Sequence, residues 1–68
     1  MIKKYYYISK KNICFLKFLL EAYEGIATFE TVNAKKGIIL IYIAYGAAEE
    51  FNMLINELRK DFAVYELL

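Results

Sequence analysis

Two groups of residues in the first third of the chain have types and spacings that could support chemistry. Cys14 is the only cysteine and lies between Lys10 and Lys17, and a helix start and nearby cations both favour a reactive thiolate. Glu21 and Glu24 are three residues apart, and paired carboxylates can transfer protons or bind cations. Each group also has an ordinary structural interpretation, which we favour. Cys14 would be a small, partly buried side chain, and the glutamates would lie on a solvated helix face.

The residue types that most enzymes use are scarce in this sequence. There is no histidine, so neither a Cys/His zinc site nor a histidine general base can form. No phosphate-binding loop, nucleophile–base pair or metal-binding cluster is visible. We therefore expect a protein that is not an enzyme and that has no cofactor and no metal.

The length and composition predict a single domain over residues 1–68 that needs either a well-filled core or a partner. A chain of 68 residues buries only about 60% of its unfolded surface, and a lone cysteine excludes internal disulfides. Yet 60% of the residues are hydrophobic, which is high for a monomer of this size. This excess of apolar residues favours a homodimer or another protein partner.

The charge pattern argues against DNA and membrane partners. Nine Lys and Arg against eight Asp and Glu give a net charge of +1, which provides no basic field for nucleic acid. The apolar run "GIILIYIAYG" is too short for a bilayer, which takes roughly 20 residues. The basic start followed by "ICFLKFLL" resembles a signal peptide, but Lys17 and Glu21 interrupt the apolar stretch. We expect a cytoplasmic location.

The hydrophobic periodicity predicts six elements in the order β-α-β-β-α-β. Ser9 or Asn12 is expected to cap the first helix, and Gly25 to end it. The elements are strand one at Lys3–Ser9, helix one at Asn12–Glu24, strand two at Ile26–Val32, strand three at Ile38–Tyr45, helix two after Gly46, and strand four at Ala63–Leu68. This order predicts an α+β, ferredoxin-like fold, in which two helices cover one face of a four-stranded antiparallel sheet and strands one and three are central.

Helical periodicity identifies the faces of the two helices that should pack on this sheet. In helix one, Phe18 and Leu20 should flank a buried face formed by Phe15, Leu16, Leu19, Ala22 and Tyr23. In helix two the buried positions should be Phe51, Leu54, Ile55, Leu58 and Phe62.

Strand alternation then predicts which side chains lie on the uncovered face of the sheet. If Val32 pairs with Ile38, the outward set is Thr28, Glu30, Val32, Ile38, Leu40, Tyr42 and Ala44, and the inward set is Ala27, Phe29, Thr31, Ile39, Ile41, Ile43 and Tyr45. On strand one Ile8 should point inward, which turns Tyr5 and Tyr7 outward. On strand four, an outward Glu66 would place Tyr65 and Leu67 inward. The candidate interface on the uncovered face is therefore Tyr5, Tyr7, Ile38, Leu40 and Tyr42, with a polar rim.

The segment from Phe15 to Ile41, "FLKFLLEAYEGIATFETVNAKKGIILI", resembles a family of short bacterial proteins known as domain of unknown function 4911. The shared pattern F-x-K-F-x-L-E-x-Y-[DE]-G ends in a corner formed by Tyr23, Glu24 and Gly25, and the similarity extends over nearly the whole chain. The resemblance implies no activity, because the family has none assigned.

Two alternative functions arise from similarity to other small β-α-β-β-α-β domains. The plan resembles amino-acid-sensing regulatory modules of the ACT type, which makes a small ligand possible, although the "SKKN" loop lacks the glycine usual there. Lys36 and Gly37 resemble the start of an RNA-recognition signature, but Ile38, Leu40 and Ile43 stand where base-stacking aromatic residues are expected. RNA binding is therefore the less favoured alternative.

Overall fold

The computed structural model describes residues 1–23, 25–61 and 63–67 and has the predicted element order. The elements are β1 (Ile2–Ile8), a 3₁₀ turn (Lys10–Asn12), α1 (Ile13–Ala22), β2 (Ala27–Asn33), β3 (Ile38–Ile43), α2 (Ala48–Leu58) and β4 (Val64–Leu67). The α+β, ferredoxin-like plan is thereby confirmed. The predictions for Glu24, Phe62 and Leu68 lie outside the described residues.

The four strands form one antiparallel sheet in the order β2-β3-β1-β4, so β3 and β1 are central as expected. Ile38 pairs with Asn33 and not with the expected Val32, because the register shifts between Thr31 and Asn33. Val32 is thus the extra residue of a β-bulge, which lets Thr28 and Glu30 keep the face that was predicted for them.

The helices cover one face of the sheet and close the core against it. Tyr6 of β1 meets Phe51 of α2 edge to face, with ring centroids 5.9 Å apart. Full burial of a large apolar side chain stabilises the fold by roughly 1.5–3 kcal/mol relative to exposure. The core contains Tyr6, Ile8, Leu16, Leu20, Ile26, Ala27, Ile39, Ile41, Ile43, Ala47, Phe51, Ile55, Leu58 and Val64.

The buried face of α1 is narrower than predicted and is centred elsewhere. Leu16 and Leu20, one turn apart, are buried, whereas Phe15 and Tyr23 are half exposed. Phe18 points to solvent, because only a narrow stripe of a helix that crosses a sheet reaches the core.

The expected helix cap and the expected length of β3 were also wrong. Neither Ser9 nor Asn12 makes a side-chain capping bond, and the Asn12 N–H donates to the Ser9 carbonyl instead. Tyr45 does not point into the core: β3 ends at Ile43, and Tyr45 is 78% exposed beside Gly46, whose φ is +86°. No helix in the described part of the chain has the length and hydropathy needed to cross a bilayer.

The buried tyrosine of the core predicts a loss of stability at alkaline pH. Burial raises the pKa of Tyr6, the negative charge of Glu66 raises it further, and Arg59 partly offsets the rise. Above about pH 10 the unfolded chain loses a proton that the folded chain retains, so the free energy of unfolding falls as pH rises. Urea unfolding between pH 8 and pH 11 should show a shallower decline for Tyr6→Phe. An equal decline in both proteins would contradict this assignment.

Candidate interaction surface

The sheet face opposite the helices holds a continuous group of tyrosine and aliphatic side chains, which we call the tyrosine face. None of its members belongs to the helix-side core. The pairing of the strands arranges them in three rows, of which the middle one runs Glu30, Leu40, Tyr5, Leu67. The rows on either side are Thr28, Tyr42, Lys3 and Asn33, Ile38, Tyr7, Tyr65. The tyrosine face consists of Tyr5, Tyr7, Ile38, Leu40, Tyr42, Tyr65 and Leu67.

The structure brings together on this face all five residues of the candidate interface from the sequence. Leu40 lies at its centre and is only 9% exposed, although it does not belong to the main core. Tyr5, its direct partner on β1, is 48% exposed. The face thus presents aromatic and aliphatic surface to the outside around an aliphatic centre.

The sequence prediction for β4 was wrong, and its correction enlarges the tyrosine face. Val64 pairs with Ile8 and is fully buried, so alternation turns Tyr65 and Leu67 outward. Tyr65 stacks on Tyr7, with ring centroids 6.1 Å apart and 16° between the ring planes. The branched, apolar Val64 was the usable signal in the sequence, since such residues suit a core position.

Glu66 lies on the helix side of the sheet, contrary to expectation, and can do so because β4 is an edge strand. Its carboxylate is 3.7 Å from the Lys4 ammonium group, and both side chains remain partly open to solvent. A charge at an edge position can therefore stay hydrated while its strand neighbour Val64 is buried.

The polar corner of the tyrosine face is built around Tyr42. Its hydroxyl donates a hydrogen bond to the Glu30 carboxylate over 2.5 Å, and the Lys3 ammonium group lies 5.8 Å from the centre of its ring. The bond to Glu30 is the main cause of a raised pKa for Tyr42, since it stabilises the protonated hydroxyl. Tyr42 thus contacts a carboxylate through its hydroxyl and a cation through its ring.

The structure describes two of the three candidate chemical groups from the sequence, Cys14 and Glu21. Cys14 was expected to be partly buried, but it is exposed. Glu24 is outside the described residues, so its pairing with Glu21 has no structural description. No group of three or more His, Cys, Asp or Glu residues that could hold a metal ion occurs within 1–23, 25–61 and 63–67.

The corner that carries the family pattern has a structural explanation. Gly25 has a φ of +86°, a left-handed conformation that suits glycine, and it turns the chain from α1 into β2. Tyr23, which was expected to be buried, is half exposed beside Gly25.

Comparison with protein families gives a match over most of the chain. A family model described as "Domain of unknown function (DUF4911)" matches residues 6–61, which is most of the chain and includes both helices, β2, β3 and the end of β1. The comparisons with curated proteins and with solved structures found no match.

Proposed function

The chain belongs to the DUF4911 family, whose description assigns no function, and we propose that it is a non-enzymatic interaction module that pairs with a second copy through the tyrosine face. The observation that supports this proposal is the uncovered tyrosine face itself. Soluble monomers rarely expose a contiguous apolar patch of this kind without using it. Tyrosine is also enriched at the centres of protein interfaces, because its ring is apolar and its hydroxyl tolerates water.

The size of the tyrosine face suits a sheet-on-sheet dimer. A standard interface covers about 800 Å² per partner, roughly a sixth of the 4741 Å² that this chain exposes. Sheets pack face to face about 10 Å apart, with side chains from both sheets between them. One face of a small four-stranded sheet can supply an area of this order.

The charges on the face favour a second copy as the occupant. Lys3 and Glu30 are the charged residues in the three rows, so the face has no net charge that would repel its own copy. A two-fold axis parallel to the strands would place β1 over β3 of the second copy. Leu40 would then lie opposite Tyr5, and Lys3 opposite the Tyr42 ring, while Glu30 would stay away from its own counterpart. Ile38 would likewise lie opposite Tyr7, so both aliphatic side chains of β3 would contact an aromatic ring, while Glu30 would lie opposite Leu67 at the edge of the sheet.

The edges of the sheet are poorly suited to pairing, which also favours the face. At one edge β4 has only four residues, and at the other β2 is interrupted by the bulge at Val32 and carries Glu30. Short strands, bulges and charges are features that block strand addition at an edge.

The first test is the oligomeric state of the wild-type chain. Light scattering and sedimentation velocity from roughly 1 to 500 micromolar should show a reversible monomer–dimer equilibrium with a dissociation constant inside this range. A monomer at the highest concentration would overturn the proposal. Binding of a labelled single-stranded RNA at low salt, measured by an electrophoretic mobility shift, would also overturn the proposal if the RNA competes with dimerisation. That result would favour base stacking on the tyrosines.

A further inference from the structure

We propose that a groove between α1 and α2, on the side of the molecule away from the tyrosine face, binds a basic amphipathic helix of another protein. The groove has a volume of about 450 Å³ and is open to solvent. One wall is apolar and includes Phe15 and Leu19 of α1 and Tyr23 directly after this helix. On the α2 side Met53 borders it and is 66% exposed. An apolar groove between two helices is a common seat for the apolar stripe of a third helix.

The charge of the groove specifies the chemistry of the partner. Glu50, Glu57 and Asp61 border it along the α2 side, whereas no lysine or arginine of the described chain lines it. Glu57 forms an ion pair with Lys60 over 3.3 Å, but both side chains are largely exposed, so the pair is weak and can exchange for a partner's cation. A partner helix with Lys or Arg beside its apolar stripe would match both the apolar lining of the groove and its acidic side.

The geometry favours a helix over an extended segment. The groove walls are side chains of two helices. The backbone N–H and C=O groups of these helices are already bonded within each helix, so they cannot form hydrogen bonds with an extended segment. A helical partner forms its backbone hydrogen bonds within itself and needs none from the groove. Glu50 and Glu57 are about 10.5 Å apart along α2, and the 11 residues of α2 extend over about 16 Å. The matching partner segment is therefore about three turns long, with basic residues spaced about seven positions apart.

The test uses a fluorescein-labelled amphipathic peptide of about 14 residues that contains only leucine and lysine, with leucine at helical spacing. The control probe has the same leucine pattern with glutamate in place of each lysine. The wild-type chain should bind the Leu/Lys peptide and not the Leu/Glu peptide in fluorescence anisotropy. Amide and methyl shifts should map to α1 and α2, with Met53 among them.

Two charge reversals in the first turn of α2 provide a matched pair. Glu50 borders the groove and Glu49 does not, and both lie in the same helical turn, so both substitutions carry a similar cost to the helix. Glu50→Lys should weaken binding of the Leu/Lys peptide at least about five-fold relative to Glu49→Lys. Met53→Ser should weaken it without changing the charge.

This proposal would be overturned by equal binding of both peptides, by equal affinities of the two lysine variants, or by peptide-induced shifts confined to the tyrosine face. Groove shifts that depend on protein concentration without peptide would also overturn it, because they would make a second copy the occupant. None of these results decides whether the tyrosine face forms a dimer, so the two proposals can fail independently.

Discussion

Replacement of Tyr5 by glutamate is expected to weaken self-association by about 30-fold or more while the monomer stays folded. Tyr5 lies in the middle row of the tyrosine face beside Leu40, so a carboxylate there would lose its hydration against apolar side chains in the dimer. In the monomer the same side chain is half exposed and can remain hydrated. A hot-spot residue at an interface centre, for which tyrosine is a favoured type, contributes about 2 kcal/mol or more, and its loss raises the dissociation constant about 30-fold. Sedimentation velocity over the same concentrations as for the wild type measures the dissociation constant of the variant.

The matched control is Tyr45→Glu, which makes the same substitution at a tyrosine that is exposed beyond the end of β3. It should leave the dimer unchanged. Tyr42→Glu is less informative, because it would also break the bond to Glu30 and place two carboxylates together. Circular dichroism and thermal unfolding establish that each variant is folded. If folded Tyr5→Glu dimerises as tightly as wild type, the tyrosine face is not the dimer interface.

Replacement of Gly37 by alanine is expected to destabilise the fold by about 3 kcal/mol or more. Gly37 has a φ of +71°, and an added Cβ would lie close to the Ile8 carbonyl oxygen, well inside van der Waals contact. The left-handed conformation alone costs roughly 1–2 kcal/mol for a residue with a Cβ. Moving the strands apart would also break the bond from the Ile8 N–H to the Gly37 carbonyl, which is 2.8 Å long.

Gly46→Ala separates the steric overlap from the conformational strain. Gly46 has a φ of +86°, but nothing lies within 4 Å of the position of its Cβ, so we expect a loss of only about 1–2 kcal/mol. Urea unfolding of the two variants and the wild type gives the comparison. Equal losses at Gly37 and Gly46 would mean that the close approach to β1 contributes nothing.

The sequence predicted the parts of this fold that depend on local patterns. The order of elements followed from the periodicity of each segment, and Ile39, Ile41 and Ile43 were placed in the core because Glu30 on the neighbouring strand needs water. The position of Gly25 after a helical pattern predicted the turn that the structure contains. In each case the deciding information lay within a few residues or in one adjacent strand.

The remaining features depend on contacts between distant segments. The close approach of Gly37 to Ile8 joins a hairpin loop to the far end of β1, and no local pattern encodes it. The extra residue at Val32 is fixed only when β2 meets β3. The faces of β4 were assigned from the charge of Glu66, but that residue lies at the edge of the sheet, where a charge can point either way. Tyr65 and Leu67 were missed on the tyrosine face for this reason.

The central strand β3 is apolar on both faces, and this has a consequence for how the chain folds. A slip of one residue would exchange Ile39 and Ile41 for Ile38 and Leu40, so β3 by itself scarcely distinguishes the correct alignment from the wrong one. Its neighbours make the distinction, because in a slipped hairpin Glu30 would lie opposite an isoleucine of the core. We therefore expect misaligned hairpins to be shallow kinetic traps that are eliminated when β1 and the helices dock.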